Sequence, residues 1–244
     1  MNNIHNQLSQ GRIVLASGSP RRKQILEEQL GFKNISVVPS KFKEDLSKDT
    51  RSPFQYVMDT ATEKALDVYR SEIESEREPS IVLAADTVVV SVEQILEKPK
   101  SPYHHLEMLK HLRDSPFPHK VFTAVVAIVP LEVPITPGYA LETYIEESIV
   151  NFDKTISNEF LQSYVDSGEA TDAAGGYKIQ GRGALLIKSI EGDFFNVMGL
   201  PANGTHKLIE RVIKIADNEN AGGAGSGDED EDEDEEEEDG RRLL

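Results

Sequence analysis

Three short stretches combine residue types that could handle a phosphorylated ligand. In Ser17-Gly18-Ser19-Pro20-Arg21-Arg22, small residues, a helix-starting proline and two arginines share one turn. Small residues let a backbone approach a ligand closely. A helix start favours an anion, and guanidinium groups fork onto phosphate oxygens. The pattern is a candidate phosphate cradle, but not a P-loop, because GxxxxGK(S/T) is absent. The plainer alternative is a helix capped at Ser19 with solvated arginines. In Ala84-Ala85-Asp86-Thr87-Val88-Val89, a carboxylate interrupts the most apolar run of the chain. Burying it without partners would cost on the order of several kcal/mol. Asp86 must therefore face a partner, a metal or an aqueous cleft. The third stretch, Gly175-Gly176-Tyr177-Lys178-Ile179-Gln180-Gly181-Arg182-Gly183, is dense in glycine, which suggests tight turns and close ligand approach. The Gln180 amide offers a donor and an acceptor that could read a base edge. A glycine-rich connection with no ligand is the alternative.

Other polar residues say less on their own. Lys64 and Lys98 each read as solvated when taken singly. Glu44 is a second carboxylate that, with Asp86, could serve a hard cation such as magnesium; sequence spacing alone does not bring the two together. The histidines at 5, 104, 105, 111, 119 and 206 make no metal-ligand spacing, and no GxSxG elbow is present.

The elements that must position these residues follow from apolar periodicity. Ile13–Ala16 reads as a strand leading into the Ser17 loop and a helix from Pro20 to Gly31. Ile35–Val38 is a second short strand and Lys41–Arg51 a loop. Pro53 opens a long helix with Phe54, Val57, Ala61, Ala65 and Val68 on one stripe. Ile81–Val92 is β-branched on both faces, as in a central strand, and Glu93–Leu96 returns as a hairpin. A helix follows from Pro102 to Leu112. Two β-rich runs, Val121–Val129 and Tyr139–Phe152, are joined by a proline-rich segment. Ser157–Ser167 is a helix, Ala184–Ile190 a strand, and Leu200–Ile215 the last helix. Three regions result: a flexible N-terminus (1–11), a folded body (12–215) and a disordered acidic tail (216–244).

Composition excludes several classes. The chain has 244 residues and a net charge of −17. Residues 228–239 are twelve consecutive acids, so the body carries a much milder excess, 31 acids against 24 bases. Such a field does not suit nucleic-acid binding. With no cysteine there is no disulfide framework, thiolate zinc site or cysteine nucleophile. No apolar run is long enough to span a membrane. The N-terminus lacks a signal-peptide pattern, and a cytoplasmic location is the default expectation. The tail reads as a solubilising appendage or as an arm for a basic partner.

Taken together, LASGSPRRKQIL (15–26), KA (64–65), AADTVVV (84–90), ILEKP (95–99), HKVFTAV (119–125), DAAGGYKIQGRGA (172–184) and NVMGLP (196–201) resemble the Maf family of nucleoside triphosphate pyrophosphatases. The resemblance covers residues 12–215. It implies an α/β fold: an elongated, twisted mixed sheet flanked by helices, with two lobes around a central cleft. It also implies hydrolysis of a nucleoside triphosphate to monophosphate and pyrophosphate with a divalent metal, Mg2+ or Mn2+. By position, Ser17, Arg21 and Arg22 fall in the phosphate-binding loop. Lys64 and Lys98 are the active-site lysines, Asp86 is the catalytic carboxylate, and Glu44 matches a further acidic residue, so that Glu44 and Asp86 are the expected metal ligands. Arg22, Thr87 and Gln180 resemble the branch acting on dTTP and UTP, with modified pyrimidine nucleotides as further substrates. Ala173 departs from the family, which often has lysine there in a DKAG motif; a local salt bridge is thereby in question. A homodimer is compatible with the resemblance. The alternative reading is a nucleotide-binding regulatory module that does not hydrolyse its ligand and recruits a partner through the acidic tail.

Overall fold

The computed structural model describes residue 8 and residues 10–48, 50–133 and 135–223. The acidic run at 228–239 and most of the expected flexible N-terminus lie outside the described residues. Strands and helices follow in the order β1 (Ile13–Leu15), α1 (Pro20–Glu28), β2 (Ile35–Val37), α2 (Pro53–Glu72), β3 (Ile81–Ser91), β4 (Gln94–Leu96), α3 (Pro102–Asp114), β5 (His119–Pro130), β6 (Tyr139–Phe152) and α4 (Asn158–Asp166). Two 3-10 turns, Ala174–Gly176 and Arg182–Leu186, precede β7 (Ile187–Glu191), α5 (Phe194–Met198) and α6 (Ala202–Gly223). The expected mixed α/β fold, a sheet flanked by helices, is what forms. The sheet order is β2-β1-β3-β5-β6-β7, with β4 also paired to β3. β1 runs parallel to β2 and β3, and the remaining pairs are antiparallel.

β3 is central because both its faces are covered. Ile81, Leu83 and Ala85 pack with α1 and α6 through Ile25, Leu26, Leu208, Ile209 and Val212. Val82, Ala84, Val88 and Val90 pack with α2 through Tyr56, Val57, Ala61, Ala65 and Val68. Side chains alternate across a strand, so Asp86 falls on the α2 face and Thr87 on the α1 face. A third apolar cluster joins α3, α4 and the glycine-rich segment. Among the described residues no helix is long and apolar enough to cross a membrane.

Four local expectations shift. The last helix runs on past Ile215 to Gly223, because Ala216 extends the buried stripe of Leu208, Ile209, Val212 and Ile213. Residues 182–186, expected as strand from Ala184, wind as a 3-10 turn because Glu169 accepts from the Arg182 and Gly183 backbone N–H groups. The five-residue α5 was not anticipated; Asp193 caps it through the N–H groups of Phe195 and Asn196. Leu8, within the stretch expected to be loose, is buried in the α1/α6 face.

Candidate active site

A cleft of about 520 Å³ opens beside the middle of β3. All nine residues singled out in the sequence line it: Ser17, Arg21, Arg22, Glu44, Lys64, Asp86, Thr87, Lys98 and Gln180. They come from six segments, and chain topology alone brings them together.

The α2 side of β3 supplies the most buried charges. α2 starts cleanly: Pro53 takes its first turn, and Ser52 and Gln55 form a reciprocal capping box. Ten residues on from Phe54, Lys64 lies on the buried stripe rather than in solvent, which corrects its reading as a surface lysine. Its Nζ donates to Asp86 Oδ1 at 2.8 Å and lies 2.7 Å from Glu44 Oε1. Asp86 and Lys64 are each 11% exposed, whereas Glu44 is 46% exposed at the cleft rim. Burial pushes the Asp86 carboxyl above the usual range, and the Lys64 charge and hydrogen bond offset only part of this. Burial acts on Glu44 in the same sense. There, the Lys64 hydrogen bond and the charges of Lys64 and Lys98 prevail and hold it below its usual value.

This geometry bears on the expected metal. Among the described residues, no three His, Asp or Glu side chains gather as a metal cage. Glu44 and Asp86 do converge on one cationic atom at the cleft wall. Two carboxylates with room for phosphate and water oxygens are the donor set that Mg2+ accepts, so the residues fit the group.

The α1 side of β3 behaves differently. Arg22, read in the sequence as a phosphate donor, lines the cleft with most of its guanidinium donors engaged by the protein. Nε donates to Gly199 O at 2.9 Å, Nη1 to Ser17 Oγ at 2.9 Å and to Ala85 O at 2.7 Å, and Nη2 to Thr87 Oγ1 at 3.0 Å. Burial lowers its pKa, and the charge of Asp86 opposes this. Arg22 thus ties the α1 loop, β3 and the turn after α5 together. Thr87 Oγ1 is 3.0 Å from Thr123 Oγ1, which donates to Asn196 O. Asn196 donates in turn to Val121 O and Ser148 Oγ. Ser19 sits at the α1 N-cap position without a side-chain cap bond; its own N–H donates to Ser17 Oγ.

The glycine-rich segment forms the opposite chain contribution. Gly175 and Gly176 have φ of 70° and 71°. A Cβ at Gly175 would lie 2.8 Å from Val89, and one at Gly176 would lie 2.7 Å from the His105 ring. Glycine is needed there both for the backbone and for the close approach. His105 Nε2 bonds Gly176 O at 2.6 Å, and His119 Nε2 bonds Tyr177 Oη at 2.8 Å. Burial drives His119 down to about 3, so it packs as a neutral ring. So anchored, the segment presents Gln180, exposed at the cleft, with its amide taken by no protein hydrogen bond among the described residues.

Several cleft residues were not singled out in the sequence. Asp172 accepts from Arg21 Nη1 at 3.2 Å and pairs with Lys178 Nζ at 2.7 Å. Ala173 is buried. The carboxylate beside it, Asp172, takes its lysine partner from position 178. Tyr56 and Glu97 also line the cleft; Tyr56 Oη is 3.5 Å from Glu97 Oε1, and Lys48 pairs with Glu97 at 2.6 Å. Burial, then the Glu97 charge, pushes the Tyr56 hydroxyl up to about 12. For Asp172 and Glu97 the signal was their place inside the motifs, as with Glu97 next to Lys98 in ILEKP; Tyr56 lies outside them. The tight hairpin turn at Val92 and Glu93, both at left-handed φ (47° and 64°), reverses the chain so that this segment follows β4.

Comparison with known proteins identifies the family. The family model described as "Maf-like protein" matches residues 12–212. A dTTP/UTP pyrophosphatase of Schizosaccharomyces pombe is 53% identical over 218 residues, covering 89% of this chain and 90% of that protein. A dTTP/UTP pyrophosphatase of Saccharomyces cerevisiae is 37% identical, covering 80% of this chain and 88% of its own length. A human protein named as a probable bifunctional dTTP/UTP pyrophosphatase/methyltransferase is 43% identical over 82% of this chain and 32% of its own. With its motifs gathered in one cleft and its body matched almost end to end, this chain belongs to the Maf family.

Proposed function

We propose that the protein hydrolyses dTTP and UTP to the nucleoside monophosphate and pyrophosphate. The observation that carries this reading is the buried Asp86–Lys64 pair beside the Ser17–Arg21 loop. It sets a carboxylate and a cation within a cleft built for an anion. The names of the relatives support the same reaction and favour it over a binding module that does not turn its ligand over.

Water attacks the α-phosphorus, and the bond from that phosphorus to the bridging oxygen of pyrophosphate breaks. Asp86, held in place by its hydrogen bond from Lys64, orients the attacking water and takes its proton. Lys64 and Lys98 offset the negative charge that grows on the phosphate oxygens. Arg21 and the positive end of α1 hold the phosphate chain. Glu44 and Asp86 would hold a divalent cation, Mg2+ or Mn2+, which when bound supplies further positive charge to the triphosphate. Gln180 selects the base. Thymine and uracil both present a carbonyl beside an N–H, and one amide satisfies both.

A panel of common and modified nucleoside triphosphates with Mg2+, resolved by ion-exchange chromatography, tests the reading. Monophosphate plus pyrophosphate should form from dTTP and UTP. Asp86→Asn should lower turnover on the order of 10²-fold or more. Binding without turnover by the wild-type protein would reject hydrolysis in favour of the binding module.

A further inference from the structure

Asp172 is a carboxylate shared by two cleft cations from distant parts of the chain. Arg21 opens α1, and Lys178 lies in the glycine-rich segment. Their ends are 3.2 and 2.7 Å from the two Asp172 oxygens. The two cations are largely covered, at 18% and 19% exposure, while the carboxylate is 54% exposed. All three line the cleft. Two anionic oxygens bridging two donors is the arrangement that a phosphate group also adopts with such cations. An exposed ion pair is weak, and a triphosphate brings more negative charge to the same donors. Asp172, being exposed, can leave them for water without becoming a buried, unpaired charge. Lys178 has a fixed root as well: its backbone N–H donates to Tyr164 Oη at 3.1 Å, and Tyr164 donates to Glu169 at 3.0 Å.

We propose that Lys178 and Arg21 form a phosphate-binding pair, and that Asp172 occupies it as an internal anion until a triphosphate or pyrophosphate displaces the carboxylate. Lys178 thereby becomes a substrate-binding residue of the cleft and Asp172 its competitor. The inference rests on reading the cleft as a triphosphate site.

The test uses full-length protein and inorganic pyrophosphate as the probe, followed by titration calorimetry, with dTTP turnover and thermal melting measured in parallel. Lys178→Met should weaken pyrophosphate binding about tenfold or more, as for loss of a hydrogen bond to a charged group. Lys178→Arg should restore most of that loss. Asp172→Asn should tighten binding by about two- to fivefold, the scale of an exposed ion pair. Melting temperatures should stay near wild type. Unchanged affinity in Lys178→Met would overturn the pair. Weaker binding in Asp172→Asn would overturn the competitor role and make Asp172 a brace for the two cations. The two readings fail separately. A wild-type protein that neither binds pyrophosphate nor turns over any nucleotide sinks the proposed function. One that does both while Lys178→Met matches it sinks only this inference.

Discussion

Two ionic triads line the same cleft with inverse composition. In one, a lysine stands between two carboxylates, Glu44–Lys64–Asp86. In the other, a carboxylate stands between two cations, Arg21–Asp172–Lys178. Burial separates them further. Lys64 and Asp86 are held between α2 and the central strand, whereas Asp172 lies more than half exposed. A buried pair in good geometry fixes position and perturbs ionisation; an exposed one exchanges readily with solvent and ligand. The first triad is thus suited to chemistry at a fixed point and the second to reversible capture of an anion. The same contrast separates the neighbours Arg21 and Arg22. Arg21 meets a carboxylate that can be displaced, while Arg22 is tied to two backbone carbonyls and two hydroxyls.

The sharpest way to break this contrast is Lys64→Met. It should reduce kcat for dTTP on the order of 10²-fold, far more than any change at Asp172 or Lys178. A kcat within a few-fold of wild type would erase the distinction between the triads. Next comes Arg22→Lys. An ammonium group cannot reach the four acceptors that the guanidinium fork spans. At least one buried carbonyl is left unsatisfied, at a cost of about 1–3 kcal/mol, which lowers the melting temperature by several degrees. If Arg22→Lys melts like wild type but binds pyrophosphate poorly, Arg22 is a phosphate ligand after all.

The smallest expected effect is the pH dependence of Asp172. Burial tends to raise this carboxyl, but the Lys178 hydrogen bond and the Arg21 charge outweigh it and hold it below its usual value. A group whose folded pKa is depressed stabilises the fold above its unfolded pKa, about 3.9. That contribution disappears as pH falls through the lower, folded value. The melting-temperature difference between wild type and Asp172→Asn should therefore be small at pH 7 and shrink below about pH 4. A difference that stays constant from pH 7 to pH 3 would show that Asp172 is not ion-paired in the way described.

The sequence went far on the fold because its signals were strong and local. The β-branched run at 81–91 became the central strand, and the Ser52–Pro53 start and apolar stripe became α2. It faltered where a tertiary contact decided the outcome. Residues 182–186 turned because Glu169 lies beside them, and α5 is too short to announce itself. For the site, the types and positions of nine residues were legible. What Lys64 and Arg22 do with their charges was not.

By itself the sequence determined which residues could act: a carboxylate in an apolar strand, small residues before a helix, and an amide in a glycine-rich segment. Each follows from chemistry within a few residues along the chain. Only the tertiary structure decided their partners. Strand parity put Asp86 toward α2 and Thr87 toward α1, which gave the first an ion pair with Lys64 and the second hydrogen bonds with Arg22 and Thr123. The contacts that sort Lys64 from Lys178, and Arg22 from Arg21, depend on what lies beside each side chain. Residues 22 and 177 positions further along the chain make those contacts, and no local pattern records them.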